Sequence, residues 1–92
     1  MDELLLSRVR LAVIAELVPV EWATFTDLQK SIGTTNGNLS AHLGKLIAGG
    51  YLVERKRFVR RRPQTRYRLT DAGRAALVRH VEQLSTLVAS ER

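Results

Sequence analysis

The chain has 92 residues with 45% hydrophobic content, 15 Lys and Arg against 9 Asp and Glu for a net charge of +6 at pH 7, and no cysteine. This length is expected to make one small domain over residues 1–92, and the hydrophobic content is too high for a disordered chain. The lack of cysteine excludes disulfides, thiolate metal sites, cysteine nucleophiles and thiol switches. No apolar stretch approaches the length of a membrane span, and the acidic start Met1-Asp2-Glu3 lacks the positive charge of a secretory leader. A cytoplasmic chain with no membrane partner is therefore expected, and its basic excess favours phosphate backbones as partners.

Asp2 is positioned to cap a first helix running to about Val18, with Glu3 in its first turn. Leu6, Arg10, Val13, Ile14 and Leu17 recur at helical spacing as its core face, and Pro19 stops it. Leu4 and Leu5 widen the apolar surface beyond one stripe, and serve a second subunit or the chain's own core equally well. Glu21 to Phe25 has room for a brief extended piece. Thr26, with Gln29 three residues on, fits a capping box that opens a second helix from Asp27 to about Ile32, with Gly33 as its left-handed cap. Thr34-Thr35 then turns the chain. Thr35 with Asn38 caps a third helix, which runs to about Ala48, carries Leu39, Leu43, Leu46 and Ile47 on one face, and ends at Gly49-Gly50. Two short helices joined by a tight glycine-containing turn make a helix-turn-helix pattern.

Tyr51-Leu52-Val53 begins an alternating run. Between Arg55 and Arg68 stand eight of the fifteen basic residues, interleaved with Phe58, Val59 and Tyr67. Pro63 marks the turn of a hairpin on whose return strand Tyr67 and Leu69 share one face, and Arg66 and Arg68 the other. Charge this dense repels itself unless a polyanion neutralises it, and a basic hairpin directly after a helical segment points to DNA. Thr70 caps a last helix from Asp71. Leu77, Val81, Leu84, Leu87 and Val88 along it are spaced like a packing seam, and Ser85, Thr86, Ser90 and Glu91 read as a fraying polar end. The elements predict a mainly α chain with a small β-hairpin, in the α+β class.

Several strings carry a resemblance: Phe25-Thr26-Asp27-Leu28, Gly37-Asn38-Leu39-Ser40-Ala41-His42-Leu43, Gly50-Tyr51-Leu52-Val53, the run from Arg61 to Thr70, and Ala72-Gly73-Arg74. Together they resemble the small stand-alone winged helix-turn-helix transcriptional regulators of bacteria and archaea, relatives of the MarR and ArsR groups, over roughly Arg8 to Leu84. The resemblance implies a three-helix core with a wing and a C-terminal dimerisation helix, and a homodimer that binds double-stranded operator DNA. The third helix would enter the major groove with Thr35, Asn36, Gly37, Asn38, Ser40, Ala41, His42 and Lys45. The wing would touch the minor groove or backbone with Arg60, Arg61, Arg62, Gln64 and Arg66. The terminal helices, residues 1–18 and 71–92, would build the dimer through Leu4, Leu5, Leu77, Val81, Leu84, Leu87 and Val88. Members often carry a basic residue where Ala41 and Gly44 stand, which implies weaker base readout here and more affinity from the wing. Related regulators bind a small-molecule effector between terminal helices and core, but no residue of this chain demands one.

The residue chemistry fits DNA. Side chains near a recognition helix's N-terminus reach base edges, Asn bonds adenine bidentately, and Lys45 one turn later suits a phosphate. The free amides near Thr35 and Asn36 offer an anion seat, while plain capping is the alternative role of Asn36 and Asn38. His42 either touches DNA or packs at the junction of helix and wing. Arg55, Arg57, Arg66 and Arg68 have Glu54 and Asp71 as possible acid partners. No metal site or cofactor is expected, since His80 is the one other histidine and lies on another helix. Gly44-Lys45 is followed by Leu46 and lacks an upstream phosphate-loop glycine, and no nucleophile has a base nearby, so no enzyme is expected. A protein-interaction module and a non-specific chromosome binder remain as alternatives to a sequence-specific regulator.

Overall fold

The computed structural model describes residues 1–90, so Glu91 of the expected polar end lies outside the described residues. Helix α1 spans Arg8–Leu17, strand β1 Ala23–Thr24, α2 Phe25–Ile32, α3 Asn36–Ala48, β2 Leu52–Val59, β3 Arg62–Leu69 and α4 Asp71–Ser90. The sheet order is β1-β3-β2, antiparallel throughout.

The first helix is not continuous from Asp2. Asp2 accepts from the Leu4 amide (3.0 Å) and caps a short 3-10 turn, Glu3–Leu5, and Ser7 then caps α1 by accepting from the Arg10 amide at 3.2 Å. The break changes which leucine faces inward: Leu5 is buried in the core, and Leu6, expected there, is 60% exposed. Val13, Ile14 and Leu17 form the buried face of α1, and the helix closes before Pro19, which supplies no amide to continue it.

The capping box of α2 is made by Thr24 and Asp27, not by Thr26 and Gln29. Thr24 Oγ1 accepts from the Asp27 amide (3.0 Å) and Asp27 Oδ2 from the Thr24 amide (3.4 Å). Both threonines fit the spacing, but Thr24 leaves strand β1 in extended geometry, as an N-cap must. Thr26 therefore falls inside the first turn. Gly33 closes α2 at φ 76°, a conformation in which a Cβ is strained, and Gln29 donates to the Thr34 carbonyl.

Helix α3 begins at its expected cap, with Thr35 Oγ1 accepting from the Asn38 amide at 3.1 Å. Leu39, Leu43 and Leu46 are fully buried on one stripe and meet Leu28 of α2, the α1 face and Leu52, Tyr67 and Leu69 of the sheet in one core. Truncating one of these leucines to Ala would cost roughly 2–5 kcal/mol, a large share of the stability of a domain this small.

The hairpin turns at Arg60-Arg61, not at Pro63. Val59 pairs with Arg62 and Phe58 with Pro63, which leaves two connecting residues with φ 51° and 66°. Two-residue hairpin turns of this type need positive φ at both positions, which proline's ring forbids. Pro63 sits instead in β3 opposite Phe58, beyond the stretch where β1 covers the strand at Arg66 and Tyr67, so its missing N–H interrupts no ladder on that edge.

Thr70 caps α4, accepting from the Gly73 amide (3.0 Å) and donating to the Gly50 carbonyl (2.7 Å). A Cβ at Gly73 would lie 2.5 Å from the Tyr51 carbonyl oxygen, so the glycine is what lets α4 dock on the base of the hairpin. Gly73, Ala76 and His80 are its buried face, and every residue from Val81 to Ser90 is exposed. The expected fraying end is helical through Ser90. This projecting half gives the molecule its long axis, 56 Å against 25 and 22 Å.

Candidate nucleic-acid interface

Helix α3 presents two kinds of surface. Its buried stripe is leucine, and its exposed surface carries Asn36, Gly37, Asn38, Ser40, Ala41, Gly44 and Lys45. At its start, Thr35 Oγ1 takes the Asn38 amide and the Thr35 carbonyl takes the Leu39 amide. The first two amides, of Asn36 and Gly37, carry no such bond, as expected at a helix N-terminus. Gly37 adds no side chain over them, and nothing lies within 4 Å of where its Cβ would be. This end of α3 offers uncovered N–H donors at the positive pole of a 13-residue helix.

Asn36, Ser40 and Lys45 are exposed with no side-chain bond among the described residues. Asn38 is already engaged, since its Nδ2 donates to Thr34 Oγ1 at 2.7 Å and ties α3 to the preceding turn. His42 is tied to α1. Its Nδ1 accepts from Arg10 Nη1 (3.0 Å), so its proton resides on Nε2. Arg10, read from the sequence as part of a core face, is a clamp: its Nε donates to the Leu4 carbonyl (2.7 Å) and its Nη2 to the Glu3 carbonyl (3.3 Å). Partial burial, then the Arg10 guanidinium and Lys45, hold the His42 pKa below the ordinary 6.5.

The wing divides by strand alternation. Arg55, Arg57, Arg62, Gln64, Arg66 and Arg68 fall on one face of the β2–β3 hairpin, while Leu52, Tyr67 and Leu69 fall on the other, against the core. Tip residues Arg60, Arg61 and Arg62 are exposed, and the one salt bridge among the described residues joins Lys56 and Glu54 at 3.9 Å, away from the tip. Arginine–acid pairing of Arg55, Arg57, Arg66 or Arg68 is thus not found. Arg57 Nε donates to Gln64 Oε1 at 2.9 Å, and Arg55 to the Glu54 carbonyl at 3.2 Å. Glu54 instead faces Tyr67 across the strands, and burial followed by the Glu54 carboxylate pushes the Tyr67 pKa up to about 12.

Arg66 is separated from the tip group. It pairs with Thr24 in the three-stranded part of the sheet, is half-buried, and lays its guanidinium 4.3 Å from the centroid of the Trp22 ring, with Arg68 at 5.9 Å from the same ring. Its Nε is buried without a hydrogen-bond partner, which leaves the cation–π contact as its anchor. Trp22 escaped the sequence reading because a lone aromatic in a loop has no period. Only the register of β1 on β3 brings it beside the arginines.

The expected dimer residues split as well. Leu5 is buried in the chain's own core, and Leu4 packs half-buried on that core beside Gly49, so neither forms a free patch. Leu77 also packs partly on its own core. Val81, Leu84, Leu87 and Val88 remain 42–68% exposed on the projecting half of α4. Among the described residues no group of three or more His, Asp or Glu is placed to hold a metal ion, and no helix is long and apolar enough to cross a membrane.

Residues 9–88 match the family model described as a winged helix DNA-binding domain. An uncharacterised protein of Methanocaldococcus jannaschii is 31% identical over 81 residues, 88% of each chain. A transcriptional regulator homologue from Pyrococcus horikoshii OT3 superposes with a TM-score of 0.87 at 29% identity, covering 97% of this chain and 88% of that one. The transcriptional repressor CouR, solved bound to a 23-mer DNA duplex, superposes with a TM-score of 0.76 at 26% identity, covering 90% of this chain and 58% of that one.

Proposed function

We propose that this chain, which belongs to the winged helix DNA-binding domain family, is a transcriptional regulator that grips operator DNA as a homodimer. The observation that carries the reading is the set of exposed tip arginines, Arg60, Arg61 and Arg62, left without acid partners among the described residues. In addition, α3 offers uncovered N-terminal amides and an exposed surface of Asn36, Ser40 and Lys45. The repressor solved on a DNA duplex supports the same use of the shared fold.

In this reading α3 enters the major groove, with Asn36 and Ser40 at base edges and Lys45 on a phosphate. The amides of Asn36 and Gly37 seat a second phosphate. With Ala41 and Gly44 contributing no long side chain, direct readout is thin and the wing supplies most of the affinity. The exposed Val81, Leu84, Leu87 and Val88 pair with the same stripe of a second copy, which makes the projecting half of α4 a two-fold seam. Two α3 helices then address half-sites about 10 bp apart. The regulator works in the cytoplasm, where the chromosome is.

The test is fluorescence anisotropy of the purified protein against a random duplex pool and against duplexes selected from that pool, across a salt series. Roughly eight phosphate contacts per dimer give a slope of log K on log salt near −7. A palindromic selected consensus and a dimeric mass by light scattering are expected. Binding without any selected consensus would sink the operator claim, and a monomeric mass on and off DNA would sink the dimer.

A further inference from the structure

We propose that Phe58, paired with Pro63, is an apolar wedge that the wing presses into the minor groove, making the regulator sensitive to how easily the DNA there deforms. This inference rests on the DNA-binding reading above. Phe58 is 77% exposed, the most exposed of the large hydrophobic residues in the described chain. Its place follows from the ladder. On the core side of the hairpin lie Leu52, Glu54, Lys56 and Phe58, facing Leu69, Tyr67, Thr65 and Pro63. Leu52, Tyr67 and Leu69 are covered by the helices, but the hairpin outruns the core, and nothing covers its last pair.

The surroundings decide the occupant. Lys56 is exposed on the same face of the hairpin as Phe58, Arg60 and Arg61 make the turn just beyond it, and Arg57 and Arg62 flank it in sequence from the opposite face. A second copy of this chain would bring a net charge of +6 against that concentration of cations. The minor groove offers the matching surface: deoxyribose walls for an apolar side chain and rails of phosphate for Lys56 on its face and for the arginines of the turn. Apolar side chains of this kind part a base step and bend the duplex, and pyrimidine–purine steps yield most readily. Sequence preference then arises at a position where no hydrogen bond reads a base.

The experiment compares wild-type protein with Phe58→Ser and Phe58→Leu. All three are used in selection from a random duplex pool, and in end-to-end fluorescence transfer on the duplex the wild type selects. The wild type is expected to enrich a pyrimidine–purine step flanking the major-groove contacts and to shorten the end-to-end distance. Phe58→Ser keeps its melting temperature, because the side chain is exposed, and keeps its salt slope, because every arginine remains. It loses affinity for the selected duplex by about tenfold, together with the bend and the step preference, while Phe58→Leu retains part of each. Unchanged affinity, bend and consensus in Phe58→Ser would overturn the wedge while leaving the DNA-binding reading intact. A change of oligomeric state in that variant would also overturn it, by making the patch a protein contact. Failure of the wild type to bind any duplex would overturn both.

Discussion

Replacing the turn Arg60-Arg61 with Asn-Gly should make the protein more stable and a poorer DNA binder at once. Both arginines hold left-handed backbone, φ 51° and 66°, in a two-residue connection between the paired Val59 and Arg62. A side chain with a Cβ in that region costs about 1–2 kcal/mol, whereas glycine adopts it freely and asparagine tolerates it. Relief of even about 1 kcal/mol should raise Tm by about 4–8 °C in a domain of this size. Removing two phosphate-neutralising charges per protomer should flatten the slope of log K on log salt by about 1.8 per protomer. Thermal melts followed by circular dichroism and salt-series anisotropy on one preparation measure both effects. An unchanged or lower Tm would refute the strain, and an unchanged salt slope would refute the placement of the tip against phosphates. Opposite movement of the two readings would mark the turn as a site where arginine is kept for binding against the preference of the backbone.

Three further outcomes follow from single positions. Gly44 lies exposed inside α3 with open space around its Cβ position, so Gly44→Arg should stabilise the helix by about 1 kcal/mol and steepen the salt slope by about 0.9 per protomer; unaltered affinity in the anisotropy assay would mean that this face is turned from the duplex. Gly73→Ala pushes a Cβ to 2.5 Å from the Tyr51 carbonyl and should destabilise by about 1–3 kcal/mol, lowering the urea midpoint; a variant as stable as wild type would show that α4 can shift off the hairpin without penalty. His42, held below pH 6.5 by partial burial and then by Arg10, should titrate closer to the ordinary value in Arg10→Gln, followed by the ring resonances in NMR. Because the folded-state pKa is the lower one, the unfolded chain takes up the proton first. This contribution to stability is therefore present above pH 6.5 and lost as pH falls through the folded-state value. Indistinguishable His42 titrations in the two proteins would contradict the Arg10 contact.

Helix positions were legible where the signal was local. Pro19, Gly33, the Thr35 cap and the leucine stripe of α3 each act within a few residues, so spacing alone located them. The fold class and the basic hairpin followed from the order of elements. What stayed hidden depended on competition or on register. Asp2 and Ser7 are both good N-caps, and only packing decides that the chain breaks between them and turns Leu5 inward instead of Leu6. Thr24 and Thr26 offer the same capping spacing two residues apart, and the extended backbone of β1 chooses Thr24. Pro63 looked like the turn because proline often is, but the ladder needed positive φ, which moved the turn to two arginines. In the candidate interface, alternation separated the arginine face of β3 from its core face correctly. It gave no hint that Arg66 rests on Trp22 or that Arg10 reaches His42 from 32 residues away. Phe58 was visible as one of the apolar residues interleaved in the basic run, but its exposure was not, because how far a hairpin outruns its core is set by the third dimension.

The most direct test of where this protein meets DNA is a titration of a selected duplex into isotope-labelled protein, following each backbone amide by NMR. Amides from Asn36 to Ala41 at the start of α3 and from Phe58 to Arg62 around the turn should shift first and furthest in low salt, and return as salt is raised. Shifts confined to α4, or an unchanged spectrum in dilute buffer, would contradict the account.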